Sequence, residues 1–160
     1  MLLNVAFRRF TLCKMIATNS SDLKQTRFDS VQANAHPFCL VCSRSNPLGL
    51  GLKFVCGADG SVSTTFLGHP ALEGFAGLLH GGVIASLLDG AMTNCLFAHG
   101  CAAMTAELNV RYRQPVVIGE EMRIRAWIEH SRQTLHEMAA ELKQGGEVKA
   151  TATAKFMKRS

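Results

Sequence analysis

Aromatic residues are scarce in this chain. They make up 7% of its 160 residues, with one tryptophan, Trp127, and one tyrosine, Tyr112. Single-stranded nucleic acid is usually held on aromatic platforms along a basic groove, so this scarcity argues against that class of partner. No run approaches the roughly 20 uncharged apolar residues of a membrane span. Acidic side chains are missing before Asp22. Residues 1–28 carry Arg8, Arg9, Lys14, Lys24 and Arg27 against that one acid, which leaves 12 basic and 11 acidic residues for the remainder. The net charge of +5 and the pI near 9.1 therefore describe an N-terminal segment rather than the body of the chain. A second close cysteine pair is also missing. Of Cys13, Cys39, Cys42, Cys56, Cys95 and Cys101, only Cys39 and Cys42 form a CxxC. His36 is near it, but no further CxxC or HxxxH follows, so reduced thiols without a structural zinc are expected.

What is present suits one folded domain. The chain is 48% hydrophobic and 18% charged, enough apolar content for a sizeable core that needs no disulfide staples. Residues 1–30 divide off as a basic and apolar extension, and 31–160 as the domain. In residues 1–17 the apolar stretch Leu2–Phe7 is too short for a signal-peptide core, and its charges follow rather than precede it. A surface-packed or frayed amphipathic helix, an upstream start codon, a transit peptide and a membrane-surface helix all remain open for it. The expected location is the cytoplasm, with organelle import through residues 1–17 left open.

Strand patterning dominates the domain. Residues 50–56 and 61–67 flank the turn Gly57-Ala58-Asp59-Gly60, and residues 102–113 are a further strand candidate. Met122, Ile124, Ala126 and Ile128 share one face of a strand. His136, Met138, Ala140 and Leu142 share a second, and Val148, Ala150, Ala152, Ala154 and Phe156 a third. Three period-2 runs in succession describe an antiparallel meander buried on one side. Residues 81–98 break the pattern, being apolar nearly all round, and predict a buried helix. The expected architecture is α+β: one long central helix wrapped by a curved antiparallel sheet.

That helix carries one ionisable residue, Asp89. A buried carboxylate without partners costs several kcal/mol. Asp89 therefore either meets a solvent edge or a backbone group, or serves as a general base or nucleophile in a cleft. His80-Gly81-Gly82 stands at the helix start, where unpaired amides and the helix dipole favour an oxyanion or a phosphate. Two glycines let a ligand approach that backbone closely.

The run Glu73-Gly74-Phe75-Ala76-Gly77-Leu78-Leu79-His80-Gly81-Gly82, continuing to Asp89, resembles the EGxxGxxHGGxxxxxxD signature of hotdog-fold acyl-CoA thioesterases of the phenylacetate-pathway (PaaI) type. The loop from Cys39-Leu40-Val41-Cys42 through Asn46-Pro47-Leu48-Gly49 to Phe54 is similar to the CxxCGxxNPxGLxLxF opening of one subgroup, with Ser43 in place of Gly. Asn109-Val110-Arg111-Tyr112-Arg113-Gln114-Pro115 resembles the strand after the helix. The likeness runs over about residues 36–157.

This resemblance implies hydrolysis of an acyl-CoA or aryl-CoA thioester to free acid and CoA. It implies a homodimer joined edge to edge, usually paired into a homotetramer, with the active sites at the dimer interface. The Gly81 N–H would bind the thioester carbonyl, and Asp89 of the partner's helix would act as base or nucleophile. Thr105 would position the water, although threonine is also common on strands for packing alone. His80, Gly82 and Glu73 would border the substrate. Arg111 and Arg113 would meet CoA phosphates or else be a solvated edge. No metal or organic cofactor is expected, since CoA is part of the substrate. Two departures stand out: Gly74 occupies the place of an Asn in some relatives, and Gly90 that of an acidic residue. The competing function is a non-catalytic hotdog protein that binds or senses acyl-CoA. A hydratase of the same fold is disfavoured because His99 lies ten residues after Asp89.

Overall fold

A computed structural model describes residues 20–158. The expectations for residues 1–17 lie outside the described residues. The order of elements is α1 (Ser20–Ala35), β1 (Val55–Cys56), β2 (Val62–Leu67), a short 3-10 turn (Pro70–Leu72), α2 (Gly81–Ala98), β3 (Ala103–Tyr112), β4 (Glu121–Arg132), β5 (Leu135–Gln144) and β6 (Glu147–Lys158). The six strands form one antiparallel sheet in the order β1-β2-β4-β5-β6-β3. This is the hotdog fold, with α2 as the central helix.

The meander follows the alternation of its residues. Met122, Ile124 and Ala126 of β4, Met138, Ala140 and Leu142 of β5, and Ala150, Ala152, Ala154 and Phe156 of β6 all lie buried on the face that receives α2. Gly145 and Gly146 join β5 to β6 at φ +59° and +83°, angles that side chains with a Cβ resist. In α2 the side chains of Leu87, Leu88, Ala91, Met92, Cys95 and Leu96 are fully enclosed. By length and apolarity alone this 18-residue helix, of mean hydropathy 1.3, is long enough to cross a membrane, but 61% of it is buried inside the fold. Its apolarity serves the core.

Two elements depart from expectation. Only Val55–Cys56 of the first strand candidate pairs in the sheet. The residues before it form a loop instead, tied by Leu50 N–H to Leu40 O (2.7 Å) and Leu52 N–H to Val41 O (3.0 Å). The other is α1, a polar helix that crosses residue 30 and packs on α2. Phe28 anchors it in the core at 1% exposure. Its glutamines add hydrogen bonds: Gln25 accepts from the Cys56 N–H and donates to Phe54 O, and Gln32 donates to Asn94 Oδ1 at 2.6 Å.

Candidate functional site

The segment leading into α2 is held by two neighbours. Leu79 N–H donates to Val116 O (2.9 Å), Ile118 N–H to Gly77 O (3.0 Å) and His80 N–H to Leu72 O (2.9 Å). The buried Gln144 side chain locks the 116–120 loop in turn, accepting from Val117 N–H and donating to the Val117 and Glu120 carbonyls. Glu73 is exposed and accepts from Gly77 N–H at 3.1 Å, so it closes the turn before the helix. Gly74 sits where a Cβ would come within 3.1 Å of His80 Cα and 3.2 Å of its ring. The imidazole of His80 thus fills the space beside the position where some relatives place Asn.

His80 is the N-cap of α2. Its Nδ1 accepts from Gly82 N–H at 2.9 Å, and its carbonyl accepts from Val83 and Ile84 N–H. Of the first amides of the helix, the Gly82 and Val83 groups are therefore engaged. Among the described residues no acceptor meets the Gly81 N–H. A helix N-terminus with one amide left over can donate to an oxyanion.

Asp89 lies two turns further along α2, half-buried rather than enclosed. Thr105 on β3 donates its hydroxyl to Asp89 Oδ1 at 2.7 Å. No other donor reaches this carboxylate among the described residues, so Oδ2 has no hydrogen-bond partner among them. Gly90, its neighbour, is there for packing: a Cβ would stand 2.6 Å from Val41 Cγ1. The side chains of Met92, Cys95, Leu96 and Phe97 belong to the core at 0–2% exposure. Burial pushes the thiol of Cys95 up to about 12, which keeps it neutral.

Register on β3 separates the remaining candidates. Thr105 pairs with Phe156, Leu108 with Ala154, Val110 with Ala152 and Tyr112 with Ala150, so these four share the face toward α2. Arg111 pairs with Thr151 on the opposite face, and Arg111 and Arg113 are both exposed. The structure brings Gly81, His80 and Gly82 together at the helix start and Asp89 with Thr105. It does not bring the two arginines to either pair within one chain. Tyr112 is a residue that sequence reasoning missed. Its hydroxyl donates to Gly81 O at 2.9 Å, and its ring stands 3.6 Å from where a Gly81 Cβ would be. Its place in the same inward series as Leu108 and Val110 was the available signal.

Two further features stand outside these contacts. A groove of about 390 Å³ on the outer side of the sheet, bordered by Glu107, Asn109, His130 and Lys155, does not reach Asp89. Among the described residues one cluster has metal-ligating atoms in reach of one another: those of His36, Cys39 and Cys42 lie within 4.8 Å.

Residues 76–151 match the family model of the thioesterase superfamily. Acyl-coenzyme A thioesterase THEM4 of Bos taurus is 41% identical over 71 residues, which cover 42% of this chain and 29% of that protein. The chain spans about a third or less of the length of the curated relatives it matches. Among solved structures, the Escherichia coli PaaI protein from the phenylacetic acid degradation operon superposes with a TM-score of 0.73 at 17% identity, over 88% of this chain and 97% of that one. The smu.793 protein of Streptococcus mutans, bound to acetyl CoA, gives 0.64 at 20% identity, over 68% and 89%. At these identities the two structures speak for the fold alone.

Proposed function

We propose that this chain, whose residues 76–151 match the family model of the thioesterase superfamily, hydrolyses an acyl-CoA or aryl-CoA thioester to a free acid and CoA. The CoA portion of the substrate is supported by the matched acyl-coenzyme A thioesterase. The observation that carries the reading is the Asp89 carboxylate, held at one oxygen by Thr105 and open at the other.

Gly81 and Asp89 are eight residues apart on one straight helix, about 12 Å of rise. One thioester group cannot touch both within a single chain. The reading therefore requires two copies, with Gly81 of one chain facing Asp89 of the other, and the exposed edge strand β3 is a natural seam for them.

In such a site the thioester carbonyl accepts from the Gly81 N–H. Asp89 takes a proton from a water as the water oxygen attacks the carbonyl carbon, or its own oxygen attacks first and a water then hydrolyses the resulting anhydride, which frees the acid and restores the carboxylate. The negative charge that gathers on the carbonyl oxygen is met by the helix N-terminus. Collapse breaks the C–S bond, and the CoA sulfur leaves as a thiolate that takes up a proton. Thr105 holds one oxygen of the carboxylate, and Tyr112 holds the Gly81 carbonyl, one peptide unit on from the donating amide.

A panel of short, medium, long and aromatic acyl-CoAs, followed with a thiol-detecting reagent, tests this reading. Saturable CoA release from at least one class is expected. Saturable binding without release would make the chain an acyl-CoA binder instead.

A further inference from the structure

The cluster at the C-terminal end of α1 has no part in thioester hydrolysis. We propose that His36, Cys39 and Cys42 bind a single divalent cation of the zinc class, with a fourth position left to water or another solvent ligand.

The geometry is close to what such an ion demands. Zinc takes thiolate sulfur at about 2.3 Å and imidazole nitrogen at about 2.0 Å in tetrahedral array, which sets neighbouring ligand atoms about 3.5–3.8 Å apart. The ligand atoms here all lie within 4.8 Å of one another, and His36 Nδ1 stands 3.9 Å from Cys42 Sγ. Closing that frame needs side-chain rotations of a few tenths of an ångström to about an ångström, not a refolded loop.

The surroundings already orient the ligands. Val41 N–H donates to Cys39 Sγ at 3.3 Å, and the enclosed Asn94 side chain lies near the Cys42 sulfur. An amide donor of this kind favours a metal-bound thiolate. Asn94 is itself fixed by Gly90 O and by Gln32 of α1. The His36 ring meets Phe97 edge-on, centroids 4.8 Å apart. Ser43 caps the loop through its hydroxyl to Pro37 O and its amide to Cys39 O. The sequence alone lacked a second cysteine pair, but it did not disclose that the end of α1 delivers an imidazole onto the first.

Val41, between the two cysteines, packs on Gly90 beside Asp89. A cation held here clips α1 and the CxxC loop onto α2. Cysteine and histidine ligands select zinc over calcium or magnesium.

The full chain, purified under reducing conditions, equilibrated with zinc sulfate and passed through a desalting column, is expected to retain about one equivalent of zinc by elemental analysis. Cobalt in its place is expected to give the intense visible bands of a tetrahedral thiolate site. Midpoint melting temperature should rise with free zinc and fall with chelator. His36→Ala and Cys39→Ser should each lose the retained metal. Cys101→Ser, which disrupts a second thiol–imidazole contact of only two ligands (Cys101 Sγ to His136 Nε2, 3.2 Å), should keep it. Because the wild-type measurements stand alone, a variant that fails to fold does not rescue the proposal. No retained zinc in the folded wild type, equal retention after Cys39→Ser, or a Cys39–Cys42 disulfide that persists under reductant would each overturn it. None of these outcomes depends on whether the chain cleaves thioesters.

Discussion

Thr105 and Asp89 meet across a strand bulge. The hydroxyl of Thr105 reaches Asp89 Oδ1 at 2.7 Å, and the register of β3 against β6 slips between Thr105 and Glu107. By simple alternation Thr105 belongs with Glu107, Asn109 and Arg111 on the outer face. The extra residue, Ala106, turns it to the face of Leu108 and Val110 and so toward α2. Thr105→Val keeps the shape and removes the donor. A hydrogen bond to a charged group is worth a factor of about ten to a hundred. The kcat for a good acyl-CoA should fall by that much, and Thr105→Ser should recover most of it. A strand-packing role would predict the reverse ranking, with valine well tolerated.

The proposed two-copy site makes a sharper demand. Asp89→Asn should lower kcat by about 100-fold or more while the chain stays folded, because the carboxylate is half-buried and not part of the core. Gly81→Pro deletes one amide at the first helical position, where proline is favoured. His80 precedes it at φ −61° and ψ 135°, a conformation proline allows, and a Cβ at 81 meets only ordinary contact with Tyr112. Its kcat should fall by about 100- to 1,000-fold. The two inactive variants, unfolded together and refolded as a mixture, should then regain about a quarter of wild-type activity, since half the dimers are mixed and each has one intact site. Absence of any recovery would place both groups in one chain, against the spacing along α2.

How much of this was legible in the residues depends on what each relies on. The β4-β5-β6 meander could be read because Met122, Ile124 and Ala126 and their counterparts alternate without interruption. The ends of α2 could be read because Gly81 follows a glycine-rich approach and Gly100 closes it. Helix α1 could not: Phe28 and Val31 are its apolar anchors, and the side chains of Gln25 and Gln32 tie it by hydrogen bonds to Phe54, Cys56 and Asn94. Periodicity has no signal for a helix that docks through amides. The inward turn of Thr105 rests on a bulge that alternation cannot place. The nearness of His36 to the CxxC rests on where α1 ends. Both are tertiary facts.

The turn between β1 and β2 offers a test of pH dependence. Asp59 accepts from the Ser61 hydroxyl (2.6 Å) and Ser61 N–H (3.1 Å) and pairs with Arg125 at 2.7 Å. These hydrogen bonds from Ser61, then the guanidinium, hold its carboxyl well below the usual carboxylate range. A folded-state pKa below the unfolded one stabilises the fold above the unfolded value, near 4, and that contribution is lost as pH falls toward the folded pKa. The melting temperature of Asp59→Asn should therefore lie below wild type at neutral pH. The gap should narrow steadily below about pH 4. A gap that stays constant through the acid range would mean that the turn is held by shape and not by the charge.

Gly90 supplies a substitution whose sign separates two views of α2. In the middle of an exposed helix, Gly→Ala stabilises by about 1 kcal/mol, because glycine loses the most backbone entropy on folding. Here the added methyl would lie 2.6 Å from Val41 Cγ1 and 3.1 Å from its Cβ. Valine is stiff about χ1, and Val41 is pinned from both sides by its own carbonyl bond to Leu52 N–H and by the sulfur contact of its amide. It cannot swing aside without moving the loop. Overpacking of this kind costs about 1–3 kcal/mol, which outweighs the helical gain. Gly90→Ala should melt below wild type, and Gly90→Ala combined with Val41→Ala should recover part of the loss because the methyl then has room. A stabilised single variant would show that the CxxC loop does not rest on α2 at this point, and would remove the structural reason for a glycine next to Asp89.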